Sequence, residues 1–213
     1  LGIARDEAFL FYYQDNLDLL RQNGAVLHPF SPLRDAALPQ TLDGLYLGGG
    51  YPELHAETLA GNRAMREAVR AFAAEGKPVY AECGGLMYLC ETLRDRDGLT
   101  WEMCGVLPAR ARMEKRVRRL GYVEAETLHD GLLGPKGTRI RGHEYHWSHI
   151  EHVGGGLEPV FLARYAGGDK EGQSGLARDR VRASYLHLHF GSNPDAAKAW
   201  VNALRQAPRQ NRL

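Results

Sequence analysis

The sequence is poor in cysteine, with three thiols among 213 residues and no Cys-x-x-Cys pair. Cys83, Cys90 and Cys104 are too few and too unevenly spaced for a disulfide framework, and this pattern favours a reducing compartment. The sequence also lacks an apolar run of membrane-spanning length, and residues 1–20 lack a basic segment followed by an apolar one. We therefore expect a cytoplasmic protein that does not bind a membrane.

An excess of charge of either sign is also missing. Lys and Arg number 27 against 26 Asp and Glu, so the net charge is +1 and nucleic acid is not expected as a partner. The local exception is a basic stretch, for which a solvated face competes with a site for an anionic ligand or partner. Its cations are Arg110, Arg112, Lys115, Arg116, Arg118 and Arg119.

Strand-like and helical patterns alternate through the first ninety residues. Strands are predicted at 1–5, 25–30, 42–47 and 78–81, and helices at 8–23, 57–75 and from 86 onward. This alternation predicts an α/β fold in which a mainly parallel sheet has helices on both faces. Residues 99–182 contain short β-like runs and glycine turns, which predict a small antiparallel insertion. A last strand is expected at 182–190 and a last helix at 195–205, all in one domain.

Cys83 lies where a predicted strand turns into a predicted helix. Gly84 and Gly85 follow it, and a nucleophile at a sharp strand-to-helix turn needs small neighbours of this kind. The helix N-terminus would also favour the thiolate form of the cysteine. The competing interpretation is a buried cysteine that packs as a small hydrophobic residue.

Two further segments are predicted to reach the same edge of the sheet, since sites in open α/β sheets form outside the carboxyl ends of the strands. Residues 48–50 are three consecutive glycines after one strand, and His187 and His189 lie in the last strand. A thiol, a base and backbone N–H groups for an oxyanion are what acyl transfer requires. We predict that the Gly84 N–H is one oxyanion donor and that the glycine loop supplies another. Taken singly, the glycines also suit a permissive turn, and a strand histidine also suits a core position.

Four motifs together resemble one family: GGGYPELH at 48–55, AECGGLMYL at 81–89, RGHEYHWS at 141–148 and SYLHLHFGSNP at 184–194. They resemble the C-terminal glutaminase domains of cobyrinic acid a,c-diamide synthases, and the resemblance extends from Ile3 to Pro194. It implies a flavodoxin-like class I glutamine amidotransferase fold. It also implies that L-glutamine is hydrolysed and that its ammonia is used on corrin carboxylates, those of cobyrinic or hydrogenobyrinic acid, activated by ATP.

The resemblance also implies roles for individual residues. Cys83 would attack the glutamine amide and form a glutamyl thioester, and His187 would be its base. His189 stays open as the base, because residues two apart in a strand share one face. Gly49, Gly50 and Gly84 would bind the oxyanion and glutamine. The remaining candidates for orienting or substrate-binding roles are His189, Glu144, His146 and Tyr51.

The sequence departs from most glutaminases at the position two residues after the catalytic histidine. Those proteins carry a glutamate there, whereas this sequence has His189. Three possibilities stay open: His189 orients His187, a carboxylate such as Glu144 or Glu82 does so, or Cys83 and His187 act as a dyad. No metal site is predicted, because the histidines of 143–149 lack the spacing of zinc proteases.

A phosphate-cradling Gly-x-x-x-x-Gly-Lys-Ser/Thr run is absent. The resemblance implies that an N-terminal synthetase domain of the same polypeptide handles ATP, Mg²⁺ and the corrin. We therefore expect residues 1–213 to be the ammonia-producing part, cut from a longer polypeptide and without a cofactor of its own. Related possibilities are the glutaminases of nickel-sirohydrochlorin a,c-diamide synthase and of cobyric acid synthase. A non-catalytic binding module and a cysteine peptidase or hydrolase on the same fold are the possibilities from other classes.

Overall fold

The computed structural model describes residues 1–167 and 171–207. Its first part alternates strands and helices as the sequence predicts. The elements are β1 (Gly2–Ala4), α1 (Gln14–Gln22), β2 (His28–Phe30), β3 (Leu45–Leu47), a 3₁₀ turn (Pro52–His55), α2 (Ala56–Gly61), α3 (Arg63–Ala74), β4 (Val79–Glu82) and α4 (Gly84–Leu89).

The remainder of the described chain is mostly strand. It contains β5 (Thr92–Arg94), β6 (Thr100–Glu102), β7 (Ala109–Met113), β8 (Arg119–Thr127), β9 (Arg139–His146), β10 (Ser148–His152), β11 (Phe161–Tyr165) and β12 (Glu171–Ser174). It ends with β13 (Leu176–Arg178), β14 (Val181–Ser184), β15 (Leu186–Leu188), a 3₁₀ turn (Phe190–Ser192) and α5 (Pro194–Arg205).

The central sheet has six strands in the order β13-β14-β4-β3-β1-β2. All neighbouring pairs are parallel except β13 with β14. Since β3, β4 and β14 are parallel neighbours, their carboxyl ends lie at one edge of the sheet, where Gly48, Cys83 and Tyr185 follow them.

Helices cover both faces of this sheet, and its inner strands are therefore buried on both sides. Tyr46 and Tyr80 point to the face covered by α1 and α5, where the ring of Trp200 lies 5.0 Å from each of their rings. Leu45 and Leu47 point to the opposite face, which α2, α3 and α4 cover. The alternation of side chains along each strand therefore divides the core into two layers.

The part outside the central sheet is larger than the small antiparallel insertion expected from the sequence, and its strands pair antiparallel except β5 with β7. Nine of the fifteen strands named here lie in two further sheets, with the orders β10-β7-β5-β6 and β12-β11-β8-β9-β15. Strands β8 and β9 pair over eight positions. In the second half of β8 and the first half of β9, buried residues alternate with partly or fully exposed ones. This alternation is typical of an antiparallel sheet with one covered face.

The helix predicted at 8–23 begins only at Gln14. The Asp6 carboxylate accepts hydrogen bonds from the N–H groups of Ala8 and Phe9, at 2.9 and 3.2 Å, and this side-chain turn competes with a helix. Phe11 then pairs through its N–H and C=O with Gly49. The segment before Gln14 is thus bound to the glycine loop instead of extending α1.

The single helix predicted at 57–75 is two helices, α2 and α3. Asn62 separates them with ψ 65°, outside the helical range, and its side chain accepts a hydrogen bond from the Met65 N–H at 3.3 Å. Asparagine is a favoured N-cap residue, so the break has a local cause.

The single strand predicted at 182–190 is also divided. Tyr185 separates β14, which pairs with β4 in the central sheet, from β15, which pairs with β9 in the five-stranded sheet. The chain thus passes from one sheet to the other immediately before His187.

Candidate active site

Cys83 occupies a strained turn between β4 and α4. Its φ and ψ are 47° and −100°, a conformation that costs a non-glycine residue about 1–3 kcal/mol. The Cys83 N–H donates to the Ser184 carbonyl at 2.7 Å, which holds the turn against β14. A Cβ atom on Gly85 would lie 2.2 Å from the Leu47 carbonyl oxygen, so the turn requires glycine there. Strain maintained in this way is typical of a functional position.

The Cys83 thiol is protonated in this arrangement. Burial, followed by the nearby Glu53 carboxylate, raises the pKa of Cys83 to about 12, although the Gly84 N–H lowers it. The sulfur lies 3.8 Å from the Tyr145 carbonyl oxygen, to which the thiol donates. In this state burial thus acts against the expected thiolate form.

His187 is buried next to β9, with 5% of its surface exposed. Its ring stacks on His143, with centroids 4.7 Å apart, and contacts the edge of Phe11 at 4.8 Å. Burial first, and then His143 and His146, lower the pKa of His187 to about 3. The ring is therefore neutral at physiological pH, and its affinity for a proton is low in this state.

The glycine loop lies between the nucleophile and the histidine. A Cβ atom on Gly49 would lie 2.3 Å from the His187 ring, and one on Gly84 would lie 3.1 Å from the Gly50 nitrogen. The Gly49 N–H donates to Phe11, whereas the Gly50 N–H has no acceptor in the described part of the chain. The structure thus brings together Cys83, His187, Gly49, Gly50 and Gly84.

The next residues of the loop differ in exposure. Tyr51 follows the glycines with its side chain half-exposed, and its N–H donates to the Ala8 carbonyl at 3.0 Å. Glu53 is less exposed, and burial raises the pKa of its carboxyl group. Glu53 also raises the pKa of Cys83, so it faces the nucleophile.

His189 makes different contacts from His187. It lies beyond the end of β15, where its Nε2 atom is 3.2 Å from an Asp15 carboxylate oxygen. Its ring contacts the ring of Tyr13 edge-on at 4.9 Å. These contacts leave His189 bound to the start of α1 and give it no hydrogen bond to His187.

Glu144 and His146 form a pair of their own. The His146 Nε2 atom is 2.8 Å from one Glu144 oxygen, and the Tyr165 hydroxyl donates to the other at 2.5 Å. Burial alone would raise the pKa of Glu144, but these hydrogen bonds hold it below its ordinary value. The His146 ring stacks on Tyr185 at 3.7 Å between centroids. Glu144 therefore orients His146 and not His187.

Glu82 also forms its hydrogen bonds with groups other than His187. Its carboxylate accepts hydrogen bonds from the hydroxyls of Tyr46 and Tyr80, both at 2.9 Å, and from the Leu188 N–H at 3.1 Å. The His187 Nδ1 atom is buried and has no hydrogen-bond partner within the described ranges. None of the three residues considered for orienting His187, namely His189, Glu144 and Glu82, forms a hydrogen bond to its ring in the described structure.

Sequence reasoning missed three residues that contact the histidines of the site. The sequence predicts a helix that includes Phe11 and Tyr13, and its candidate site residues do not include His143. The Tyr13 hydroxyl is 2.7 Å from His143 Nδ1, and Phe11 contacts both His143 and His187. The one available signal was the position of His143 in the motif RGHEYHWS.

The basic stretch begins to approach the site only at its end, where an Arg119 nitrogen lies 3.8 Å from a Glu144 carboxylate oxygen. Together with Arg94 and Arg96, several of its cations line a groove of about 600 Å³ that contains none of the predicted site residues. Within the described ranges, no group of three or more His, Cys, Asp or Glu side chains is placed to bind a metal ion. None of the described helices has the length and apolar character needed to cross a membrane.

Residues 1–195 match the family of CobB/CobQ-like glutamine amidotransferase domains. The chain belongs to this family. The match covers the nucleophile turn, the glycine loop and the strand that carries His187, so the candidate site lies within the family's domain.

Similar curated proteins carry the names of a,c-diamide synthases. A cobyrinate a,c-diamide synthase from Syntrophotalea carbinolica is 49% identical over 207 residues, which are 96% of this chain and 45% of that protein. A hydrogenobyrinate a,c-diamide synthase from Pseudomonas aeruginosa is 47% identical over 97% of this chain and 45% of its own length. The amidotransferase chain thus spans somewhat less than half the length of these relatives, which have a further part in the same polypeptide.

Solved structures from Thermotoga maritima share the fold. PurLQS from Thermotoga maritima matches 96% of this chain and 96% of its own, with a TM-score of 0.63 and 14% identity. A glutamine amidotransferase from the same organism matches with a TM-score of 0.56 and 14% identity over 96% of this chain and 81% of its own. The predicted class I glutamine amidotransferase fold is therefore confirmed.

Proposed function

We propose that this chain, residues 1–213, is the glutaminase domain of a cobyrinate or hydrogenobyrinate a,c-diamide synthase. The observation that carries the proposal is the strained Cys83 turn, with a glycine loop that contacts both this turn and the neutral His187 ring. Relatives that are 47–49% identical and named as such synthases support the choice of reaction.

The proposed chemistry is acyl transfer to a thiol. The neutral His187 accepts the thiol proton as Cys83 attacks the amide carbon of L-glutamine, and it then donates this proton to the departing ammonia. A glutamyl thioester remains. His187 next takes a proton from water, whose attack on the thioester releases glutamate and restores the thiol.

The oxyanion of each step needs backbone donors. The Gly50 N–H has no acceptor among the described residues, and the Gly84 N–H lies next to the thiol, so these two groups are the donors that we assign. Gly49 has a different role, because its N–H is already bound to Phe11 and its lack of a Cβ leaves space for the His187 ring.

The state described here requires a rearrangement before catalysis. The thiol donates to the Tyr145 carbonyl, and its raised pKa keeps it protonated. We infer that glutamine or the remaining part of the polypeptide turns the thiol toward His187. The isolated chain is then expected to be a slow glutaminase.

We also propose that ATP, Mg²⁺ and the corrin are bound by the remaining part of the polypeptide, which uses the ammonia to amidate corrin carboxylates. The relatives are about twice as long as the matched chain, and this sequence has no phosphate-cradling loop. The same acyl-transfer site would serve the amidation of a different tetrapyrrole, and the names of the relatives favour the cobyrinate series.

The decisive experiment measures glutamate released from glutamine by this chain alone and by the full-length polypeptide with ATP and cobyrinic acid. Wild type is expected to be slow alone and faster in the full-length protein, and Cys83→Ala to be inactive in both. Cys90→Ala is the matched control, because it removes another buried thiol outside the site. Absence of glutamate from both wild-type proteins would overturn the proposed function.

A further inference from the structure

Strand β15, which carries His187, has a neighbouring strand on only one side within the described residues. It is the last strand of the five-stranded sheet and pairs with β9. Buried side chains satisfy its other edge: the Leu188 N–H donates to Glu82 at 3.1 Å, and the Leu188 carbonyl accepts from Asn16 at 2.6 Å. Both side chains are at most 1% exposed. They replace the strand that would otherwise satisfy these backbone groups.

Glu82 connects this edge to the two strands that lead to the rest of the site. It immediately precedes Cys83 at the end of β4 and accepts a hydrogen bond from Tyr80 of the same strand. Its other oxygen accepts from Tyr46 of β3, the strand that continues into the glycine loop. One carboxylate therefore joins the strands that carry the nucleophile, the base and the proposed oxyanion loop.

We propose that Glu82 is a positioning residue for glutamine hydrolysis, which fixes the placement of Cys83, His187 and the glycine loop without touching the substrate. The proposal rests on the proposed function of the same site. It assigns a buried carboxylate that the acyl-transfer steps do not use.

The ionised form of Glu82 suits this role. A carboxylate only accepts hydrogen bonds, and Glu82 has three donors: two tyrosine hydroxyls and one N–H. Protonation would make one oxygen a donor and would require a tyrosine hydroxyl to turn away. The connection between the three strands is therefore expected to depend on pH.

The surroundings place this change near neutral pH. Burial raises the pKa of Glu82 to about 7, although its three hydrogen bonds lower it. The titratable groups that face Glu82 are the hydroxyls of Tyr46 and Tyr80, and farther away those of Tyr12 and Tyr13 and the Cys83 thiol. None of the described cations contributes to its titration. Glutaminase activity is thus expected to fall as the pH decreases through about 7.

The test compares Glu82→Gln with wild type in the full-length polypeptide, with kcat and KM for glutamine measured from pH 5.5 to 9. The glutamine side chain at position 82 has the size of the glutamate and keeps one acceptor oxygen, but it cannot titrate. We expect kcat at pH 8 to fall roughly tenfold while KM stays within about twofold of wild type. The decrease of wild-type kcat below pH 7 should be absent from the variant. Glu67→Gln is the matched control, since it neutralises an exposed carboxylate on α3.

A second measurement does not depend on activity. Hydrogen exchange at the Leu188 amide, measured by NMR on this chain, should be faster in Glu82→Leu than in wild type, with Glu82→Gln between them. If the Leu188 amide exchanges faster in Glu82→Leu but wild type releases no glutamate, the proposed function would be disproved. The connection that Glu82 makes between the strands would still hold. Unchanged kcat, pH profile and Leu188 exchange in Glu82→Gln would overturn the positioning role. If Glu82→Leu does not fold, Glu82→Gln alone decides.

Discussion

The imidazole rings of His143 and His187 are stacked, with centroids 4.7 Å apart and an angle of 11° between their planes. The two residues are paired across β9 and β15, and the Tyr13 hydroxyl binds His143 Nδ1 at 2.7 Å. No described carboxylate holds the His187 ring. A stacked histidine, held by a tyrosine, thus occupies one face of the base, and Phe11 contacts the ring edge-on.

His143→Ala should lower glutaminase kcat roughly tenfold, because it frees one face of the His187 ring. It should also raise the pKa of His187 from about 3, because it admits water and removes a neighbouring positive charge. His143→Phe is the matched variant that keeps a stacked ring, and it should retain most of the activity. The measurements are steady-state kinetics and the NMR titration of the His187 ring. Equal rates for wild type and His143→Ala would show that the stack has no part in catalysis.

His187→Ala and His189→Ala should differ sharply. Loss of a general base typically costs 10²–10⁴-fold in rate, and His187→Ala is expected to lie in this range. His189→Ala should stay within about threefold of wild type, because His189 contacts Asp15 and Tyr13 and forms no hydrogen bond to His187. Glutamate release by the full-length polypeptide distinguishes the two variants. The reverse order would assign the base to His189.

The parts of this site that the sequence predicts are those encoded by neighbouring residues. The strand, the cysteine and the two glycines around Cys83 form a local pattern, and it predicts both the turn and its place at the end of a parallel strand. The alternation of elements likewise predicts the α/β class, which is confirmed. Periodicity is sufficient where a segment's structure depends on its own residues.

The remaining parts depend on contacts between distant segments. The helical spacing of its neighbours predicts a helix at Tyr13, yet Asp6 and Gly49 bind the preceding backbone. The sequence does not separate the roles of His187 and His189. Their difference depends on where the strand ends, and at Leu188 the distant residues Asn16 and Glu82 bind its backbone. No property of residues 182–190 alone indicates that they belong to two sheets.

The Cys83 thiol should react slowly with iodoacetamide in the isolated chain. The thiolate is the reactive form, and with the pKa of Cys83 raised to about 12 by burial its fraction grows about tenfold per pH unit below that value. The alkylation rate, followed by mass spectrometry on Cys90→Ala as well as wild type, should therefore continue to rise from pH 7 to pH 10. A rate that reaches a plateau near pH 8 would show that the thiol is already activated in the isolated chain.

Glu82→Gln should stabilise the folded protein at pH 8, although it is expected to slow catalysis. Burial raises the pKa of Glu82 from the ordinary 4.5 to about 7, so the folded state binds this proton more tightly than the unfolded state does. The resulting stabilisation is complete below about pH 4.5 and is lost as the pH rises through about 7. This change corresponds to about 3 kcal/mol in the free energy of unfolding.

Glutamine carries no charge, so its burial incurs no such loss. In urea unfolding, wild type should lose stability relative to Glu82→Gln as the pH increases from 5 to 8, whereas Glu67→Gln, which changes an exposed side chain, should follow wild type. A difference between wild type and Glu82→Gln that is constant over this pH range would mean that the Glu82 carboxyl group titrates alike in the folded and unfolded states. The ionised carboxylate beside Cys83 would then not lower the free energy of unfolding. In that case a loss of stability could not be explained by the role of Glu82 in placing the nucleophile and the base.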